Sequence, residues 1–183
     1  MAFRSVLFSV LLLFAVVPQL HAEDSNEVYR LSPEELASRP YDIKFIDEIT
    51  AHHRMGIEMS RIAVEKAYRA DLRKMAQKMI QDQKKDISKL ERLARIRHPT
   101  APRIKDMSVG MNINRLRSLS GPEFDVAFLD SMIQHHPGAA YLGIEAQTRA
   151  QHLELKKIAS KIANAQVSEL RQMRKMRDAW SGK

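Results

Sequence analysis

The sequence repeats itself. Residues 45–97 align without a gap on residues 128–180 at a constant offset of 83, with 11 identities in 53 pairs. Phe45 falls on Phe128, Asp47 on Asp130, His52-His53 on His135-His136, Leu72 on Leu155 and Gln83 on Gln166. Where identity is lost the apolar character is kept, as in Ile49/Met132, Met59/Leu142, Met75/Ile158, Met79/Ile162 and Ile87/Leu170. Whatever one half folds into, the other must fold into as well. Within the first half, Phe45, Ile49, His52, Gly56, Met59 and Ala63 recur at alternating spacings of four and three, one stripe of an α-helix. A second stripe runs through Leu72, Met75, Met79, Gln83, Ile87, Leu90 and Leu93 and stops before His98-Pro99, because the residue before proline disfavours helix. Each half is then an αα-hairpin that cannot bury its apolar face alone. Two such hairpins make a four-helix bundle.

The predicted hairpins span 42–97 and 122–180, joined by a connection over 98–121 that contains Pro99, Pro102, Gly110 and Gly121. A helix of about 25 residues is roughly 37 Å long. The connection, if extended, reaches up to about 80 Å. It can therefore run the full length of the bundle, which predicts an all-α, ferritin-like topology with one long crossover. Ser32-Pro33-Glu34-Glu35 reads as a capping box opening a short helical turn in the N-terminal extension, 23–41, and Ser120-Gly121-Pro122-Glu123 as a second box opening the third helix. Residues 1–22 have the form of a secretory signal peptide: basic Arg4, an apolar run from Val6 to Val17, and Ala22 before the acidic Glu23-Asp24. That run is too short to span a bilayer as a helix. The expectation is an exported, periplasmic protein without stable membrane insertion.

Several chemistries are excluded outright. The chain has no cysteine, so disulfides, thiolate metal sites and Fe–S clusters are ruled out. It has no Glu-x-x-His, no His-Glu-x-x-His, no phosphate loop and no nucleophile elbow. It therefore reads as a protein that is not an enzyme, and nothing in it points to nucleic acid. What remains is imidazole and thioether. His52 and His135 lie on the predicted core stripes, with His53 and His136 about 100° further round. Met55 and Met59 follow His52 by three and seven residues, and Met132 precedes His135 by three. Met173 lies on the inner stripe of the fourth helix. This soft donor set favours Cu(I) or Ag(I), with histidine also open to Cu(II), and disfavours Ca²⁺ and Mg²⁺. The candidate ligands are His52, His53, Met55, Met59, Met132, His135, His136 and Met173.

Other residues read differently. Met75, Met79 and Met176 read as packing, and so do Met107 and Met111 in the connection, where capping a metal is the lesser reading. Asp47 and Asp130 are either acceptors for a histidine N–H on another helix or surface carboxylates. Gln83 and Gln166 would hydrogen-bond the rings if no metal were present. His98 and His152, near helix ends, read as surface residues. With a net charge of +8, a metal-free basic module holding an anionic or unfolded partner is the alternative function. A b-type haem bundle with His and Met axial ligands is the third.

The segments Phe45-x-Asp47-x4-His52-His53-x5-Met59, Phe128-x-Asp130-x-Met132-x2-His135-His136-x2-Ala139 and Ala159-x6-Gln166-x2-Glu169-x3-Met173 resemble the domain of unknown function 305 family. The likeness spans nearly all of 42–180. It implies an exported ferritin-like bundle and, as in some members, binding of copper or silver for buffering, tolerance or transfer to a copper-handling protein. The family pattern Met-x2-His-His-x2-Ala-x2-Met is complete in neither half. Ile49 and Gly56 replace the first Met and the Ala in one, and Leu142 replaces the last Met in the other. Pro137 is a further departure and predicts a kink beside the histidines, since it cannot donate to the carbonyl of Ile133.

Overall fold

The computed structural model describes residues 32–104 and 113–181. Residues 1–22, expected to be a signal peptide, residues 23–31 of the extension, Met107 and Met111 lie outside the described residues. Six helices follow one another: α1 (Pro33–Ser38), α2 (Tyr41–Lys66), α3 (Ala70–Arg97), α4 (Asn114–Ser118), α5 (Gly121–Arg149) and α6 (Leu153–Trp180). No described residue is in a strand. α2 pairs with α3 and α5 with α6 as the two predicted hairpins, and α2 packs on α5. The fourth side of the bundle, α3 against α6, is joined only sparsely.

Two apolar half-cores fill the bundle. One gathers Ile43, Phe45, Ile49, Leu90, Leu155 and Ile162, so it holds the start of α2, the end of α3 and the turn between α5 and α6. The other gathers Met59, Leu72, Met79, Phe124, Phe128, Met132 and Met173, from the opposite ends of the same helices. α3 ends in the first half-core and α5 begins in the second, so the chain between them crosses the length of the bundle, as the reach of the connection predicts. Its described parts are pinned to the first hairpin. Arg103 binds Asp47 of α2, which Arg39 ahead of α2 also binds, and reaches Glu91 of α3 at 3.2 Å, and Arg117 reaches Glu58 of α2 at 3.0 Å. Leu116 of α4, a helix not anticipated in the connection, is buried in the second half-core.

The hairpin turns are clamped across the repeat. Asp125 accepts the backbone N–H groups of Tyr68 and Arg69 at 2.8 and 3.0 Å. Asp42 accepts those of Gln151 and His152 at 2.7 and 3.2 Å. These amides lie in the turn and at the N-cap position just ahead of α3 and α6, where a carboxylate is also favoured by the helix dipole. Asp42 and Asp125 are again 83 apart. Each hairpin thus caps the second helix of the other.

The capping box at Ser32 forms, with Glu35 N–H on Ser32 Oγ at 3.2 Å and Ser32 N–H on Glu35. The one expected at Ser120 does not: its hydroxyl makes no cap bond, and only the ordinary first helical bond, from the Phe124 amide to the Ser120 carbonyl, is made there. Gly121 has φ +61°, a left-handed step between Ser120 and the helix that glycine alone takes readily. α5 runs through Pro137 as one helix.

α5 and α6 approach each other closely at Gly143. A Cβ there would stand 2.7 Å from the carbonyl oxygen of Ala159, a backbone atom that cannot swing aside. Gly143→Ala gains up to about 1 kcal/mol in helix propensity but overpacks by about 1–3 kcal/mol. Because the clash is with backbone, the second term should win. The expected outcome is a melting temperature lowered by a few degrees in a thermal scan; an unchanged or raised value would mean that the helices separate freely there.

Candidate metal centre

The half-cores are separated by a polar layer where α2 crosses α5. His52 and His135 stack there with ring centroids 3.7 Å apart and planes inclined by 36°. His52 Nε2 lies 3.1 Å from the carbonyl oxygen of His135. A carbonyl can only accept, so Nε2 carries the proton and a neutral His52 ring presents a bare Nδ1. Gly138 makes this possible, for a Cβ on it would lie 2.9 Å from His52 Nε2. Both rings are buried. Burial first, and then the neighbouring imidazoles, push the pKa of His52 down to about 4 and that of His135 well below its ordinary value.

His53 and His136 turn the other way, each toward the second helix of its own hairpin, and both are 0% exposed. His136 is fully engaged: Nδ1 lies 3.0 Å from the carbonyl of Met132 and Nε2 2.9 Å from Glu169 Oε2. His53 faces Asp86, the repeat equivalent of Glu169, but the distance from Nε2 to Oδ2 is 3.7 Å. The aspartate is one methylene shorter, and His53 keeps both nitrogens without a hydrogen bond.

The layer does not satisfy itself. His52 Nδ1, both nitrogens of His53, both nitrogens of His135, both amide atoms of Gln83 and Gln166 Oε1 are buried without hydrogen-bond partners among the described residues. Native interiors rarely leave such groups unmade. The glutamines therefore do not hydrogen-bond the rings as a metal-free layer would require. Gln83 instead fills the space left at Gly56, where a Cβ would stand 2.7 Å from its Oε1.

The methionines are sorted by end. Met55, Met59, Met75, Met79, Met132, Met173 and Met176, all those among the described residues, belong to or pack against one half-core. Their repeat equivalents at the other end are Gly138, Leu142, Ile158, Ile162, Ile49, Leu90 and Leu93. Because α2 and α5 run antiparallel, the residues that follow His52 and those that precede His135 come to the same side. Met59 and Met132 are thus buried together in the half-core beside the histidine layer, with Met173 buried and Met55 partly so. A cleft of about 160 Å³ between α3 and α6, lined in part by Met75, Met79 and Glu169, ends on the carboxylate that holds His136.

Two readings are decided here. Asp47 and Asp130 reach no histidine, and Asp130 is the surface carboxylate of the two alternatives. Asp47 is consumed by Arg39, Arg103 and the amide of Ile104, and Asp130 by Arg177 at 3.0 Å. The carboxylates facing the rings are Asp86 and Glu169, which a search for identities passes over because the pair exchanges Asp for Glu. His98 and His152 are not simple surface residues; they gather on the buried Asp42.

A family model described as a domain of unknown function, DUF4142, matches residues 31–176. The chain belongs to the DUF4142 family. Solved structures share its fold. CopM in the Cu(I)-bound form superposes with a TM-score of 0.68 at 27% identity, over 76% of this chain and 96% of that one. CopM in the Cu(II)-bound form gives 0.69 at 28%, over 76% and 97%. Ag-bound and apo CopM match comparably. A DUF305 protein from Streptomyces coelicolor gives 0.71 at 20%, over 78% and 94%, a likeness of fold. The DUF305-type resemblance read from the twin histidines is thus supported for this DUF4142 chain. No curated protein matches the sequence.

The buried rings make stability pH-dependent. An unfolded histidine titrates near 6.5, whereas His52 and His135 stay neutral in the fold to much lower pH. The unfolded chain therefore takes up protons first, so the contribution is intact above about pH 6.5 and is lost as pH falls toward 4. The melting temperature of the apoprotein should drop across that interval, and the His52→Gln/His135→Gln variant should flatten the slope. A flat wild-type profile would contradict neutral, buried rings.

Proposed function

We propose that this protein binds copper as Cu(I), with Ag(I) as its chemical analogue, and buffers it or passes it to a copper-handling partner. The observation that carries this reading is the border between the two donor types: buried imidazole nitrogens without partners, flanked on one side by every methionine of the described residues. Each buried polar atom left unpaired costs about 1–3 kcal/mol. A layer of them is a poor structural device and a good ligand set. Methionine, leucine and isoleucine fill similar volumes, so packing gives no reason to send the methionines to one end. A thioether site for a soft ion does.

In this reading His52 Nδ1, His53 and His135 supply imidazole, and Met59, Met132, Met173 and Met55 of the adjoining half-core supply thioether. His136, held at both nitrogens, orients the layer. Structures of CopM with Cu(I), Cu(II) and Ag support a metal role for this fold at 27–28% identity. The sequence expectation of export supports it too. Thioethers outlast thiols outside the cytoplasm, and no helix among the described residues is long and apolar enough to cross a membrane. The protein would hold and release its metal without turning over a substrate.

The test is an anaerobic Cu(I) titration against a chromophoric chelator. Wild type should retain at least one Cu(I) per chain against a competitor of micromolar strength or tighter. His52→Ala/His135→Ala should weaken retention at least about tenfold. Met59→Leu/Met132→Leu/Met173→Leu, a volume-keeping change, should weaken it similarly while the protein stays folded by circular dichroism. Complete loss of copper from wild type would sink the proposal and leave the basic surface, and a metal-free partner, as the lead.

A further inference from the structure

The two turn clamps are repeat equivalents, yet they differ chemically. At Asp125 the side-chain partner is the Arg69 guanidinium, with Nη1 3.1 Å from Oδ2. At Asp42 the residue equivalent to Arg69 is His152, whose Nδ1 lies 2.6 Å from Oδ2. A second ring joins it. His98, the residue at which α3 ends, brings Nε2 to 3.7 Å from the same carboxylate oxygen. Its repeat equivalent is Ser181, so the symmetry of the fold does not call for a ring there. The rings of His98 and His152 meet edge to face with centroids 5.1 Å apart. His98 Nε2 is buried and has no hydrogen-bond partner among the described residues.

We propose that Asp42, His98 and His152 form a second metal site, for a borderline divalent cation of the Cu(II) or Zn(II) type, at the end of the bundle opposite the methionines. One ligand atom from each residue lies within 4.8 Å of the others. Ligands about 2.0–2.1 Å from a tetrahedral ion stand about 3.3 Å apart. The 2.6 and 3.7 Å separations bracket that spacing, so small ring shifts close the site. Two imidazoles and one carboxylate, with no sulfur, select a borderline divalent ion over Cu(I). Three protein ligands leave a position for water or a transfer partner.

The surroundings suit the role. Asp42 is 1% exposed, and its two oxygens are aimed by the amides of Gln151 and His152, as ligating carboxylates usually are. Burial alone would raise its carboxyl, but the His152 ring and those amides outweigh it and hold the group below its ordinary range. His152 is 31% exposed and gives the ion a way in. Binding takes the lone pair of His152 Nδ1, and the neutral ring then carries its one N–H on Nε2. The simpler role is an ion pair that seals the turn, as Arg69 does at the other end, and the experiment separates the two.

Zn(II) is the first probe, since it is not reduced and does not seek thioether. Isothermal titration of the metal-free protein at neutral pH should show one Zn(II) per chain. His98→Ala and His152→Ala should each weaken it at least about tenfold, and His52→Ala/His135→Ala should leave it unchanged. The decisive variant is His152→Arg, which rebuilds the Asp125–Arg69 clamp at this end. It should keep the melting temperature and lose the Zn(II), so a loss of binding cannot be put down to unfolding. Cu(II), titrated in the same series, distinguishes which divalent ion binds more tightly. Undiminished Zn(II) binding in His152→Arg, absence of Zn(II) and Cu(II) binding in wild type, or loss through the His52/His135 variant instead would overturn the proposal. The Cu(I) titration reports on the histidine layer alone, so each reading can fail without the other.

Discussion

The two hairpins are joined broadly along α2 and α5, and at the centre of that contact two imidazoles lie face to face. Everything else in the bundle is arranged around this polar crossing. On either side the contact is apolar, with Ile49 and Phe45 toward one end and Met132 and Phe128 toward the other. These flanks supply the burial that lets an unsatisfied layer persist between them. At the two extremes the aspartate clamps tie each hairpin to the turn of its partner. The pairing of the hairpins is therefore fixed at three levels, and the middle one has the most polar atoms to spare.

Much of this was legible in the sequence because the gene product is a doubled unit. Gapless repetition and one helical stripe per segment give the four long helices, their pairing and, through the length of the connection, its crossing. The twin histidines stood out for the same reason. What stayed hidden has a common cause. Asp86 and Glu169 repeat in charge but not in identity. Asp42 and Asp125 lie just ahead of the aligned segment, and their bonds close over 109 and 57 residues. No local pattern announces a contact of that range. His98 and His152 read as surface residues because a ring at a helix end gains its meaning only from the carboxylate that a distant helix brings to it. Ser120 failed as a capping residue because a single glycine dihedral decided the geometry.

The residues shared by both halves and those that differ divide the labour. Phe45/Phe128, Leu72/Leu155, Ala76/Ala159 and the two aspartate clamps build the scaffold. The twin histidines are shared as well, and the two ends differ where the halves part: methionine against isoleucine or leucine, Gly138 against Met55, Glu169 against Asp86, His152 against Arg69. A symmetric fold has been given two unlike ends, one lined by thioether and the other carrying imidazole and carboxylate. Such polarity cannot come from the architecture, which treats both ends alike. It is written entirely in side chains.

The sparse seam between α3 and α6 has a mechanical consequence. A bundle bonded firmly along one edge and weakly along the opposite one is hinged, like a book whose spine is α2 and α5 and whose fore-edge is α3 and α6. Small openings of the fore-edge break few apolar contacts and leave the spine and its stacked rings in register, so they belong to the low-energy end of the motions available to the fold. Glu169 stands just inside that edge with its grip on His136. An ion could thus come and go at the centre of a rigid protein without any helix having to unfold.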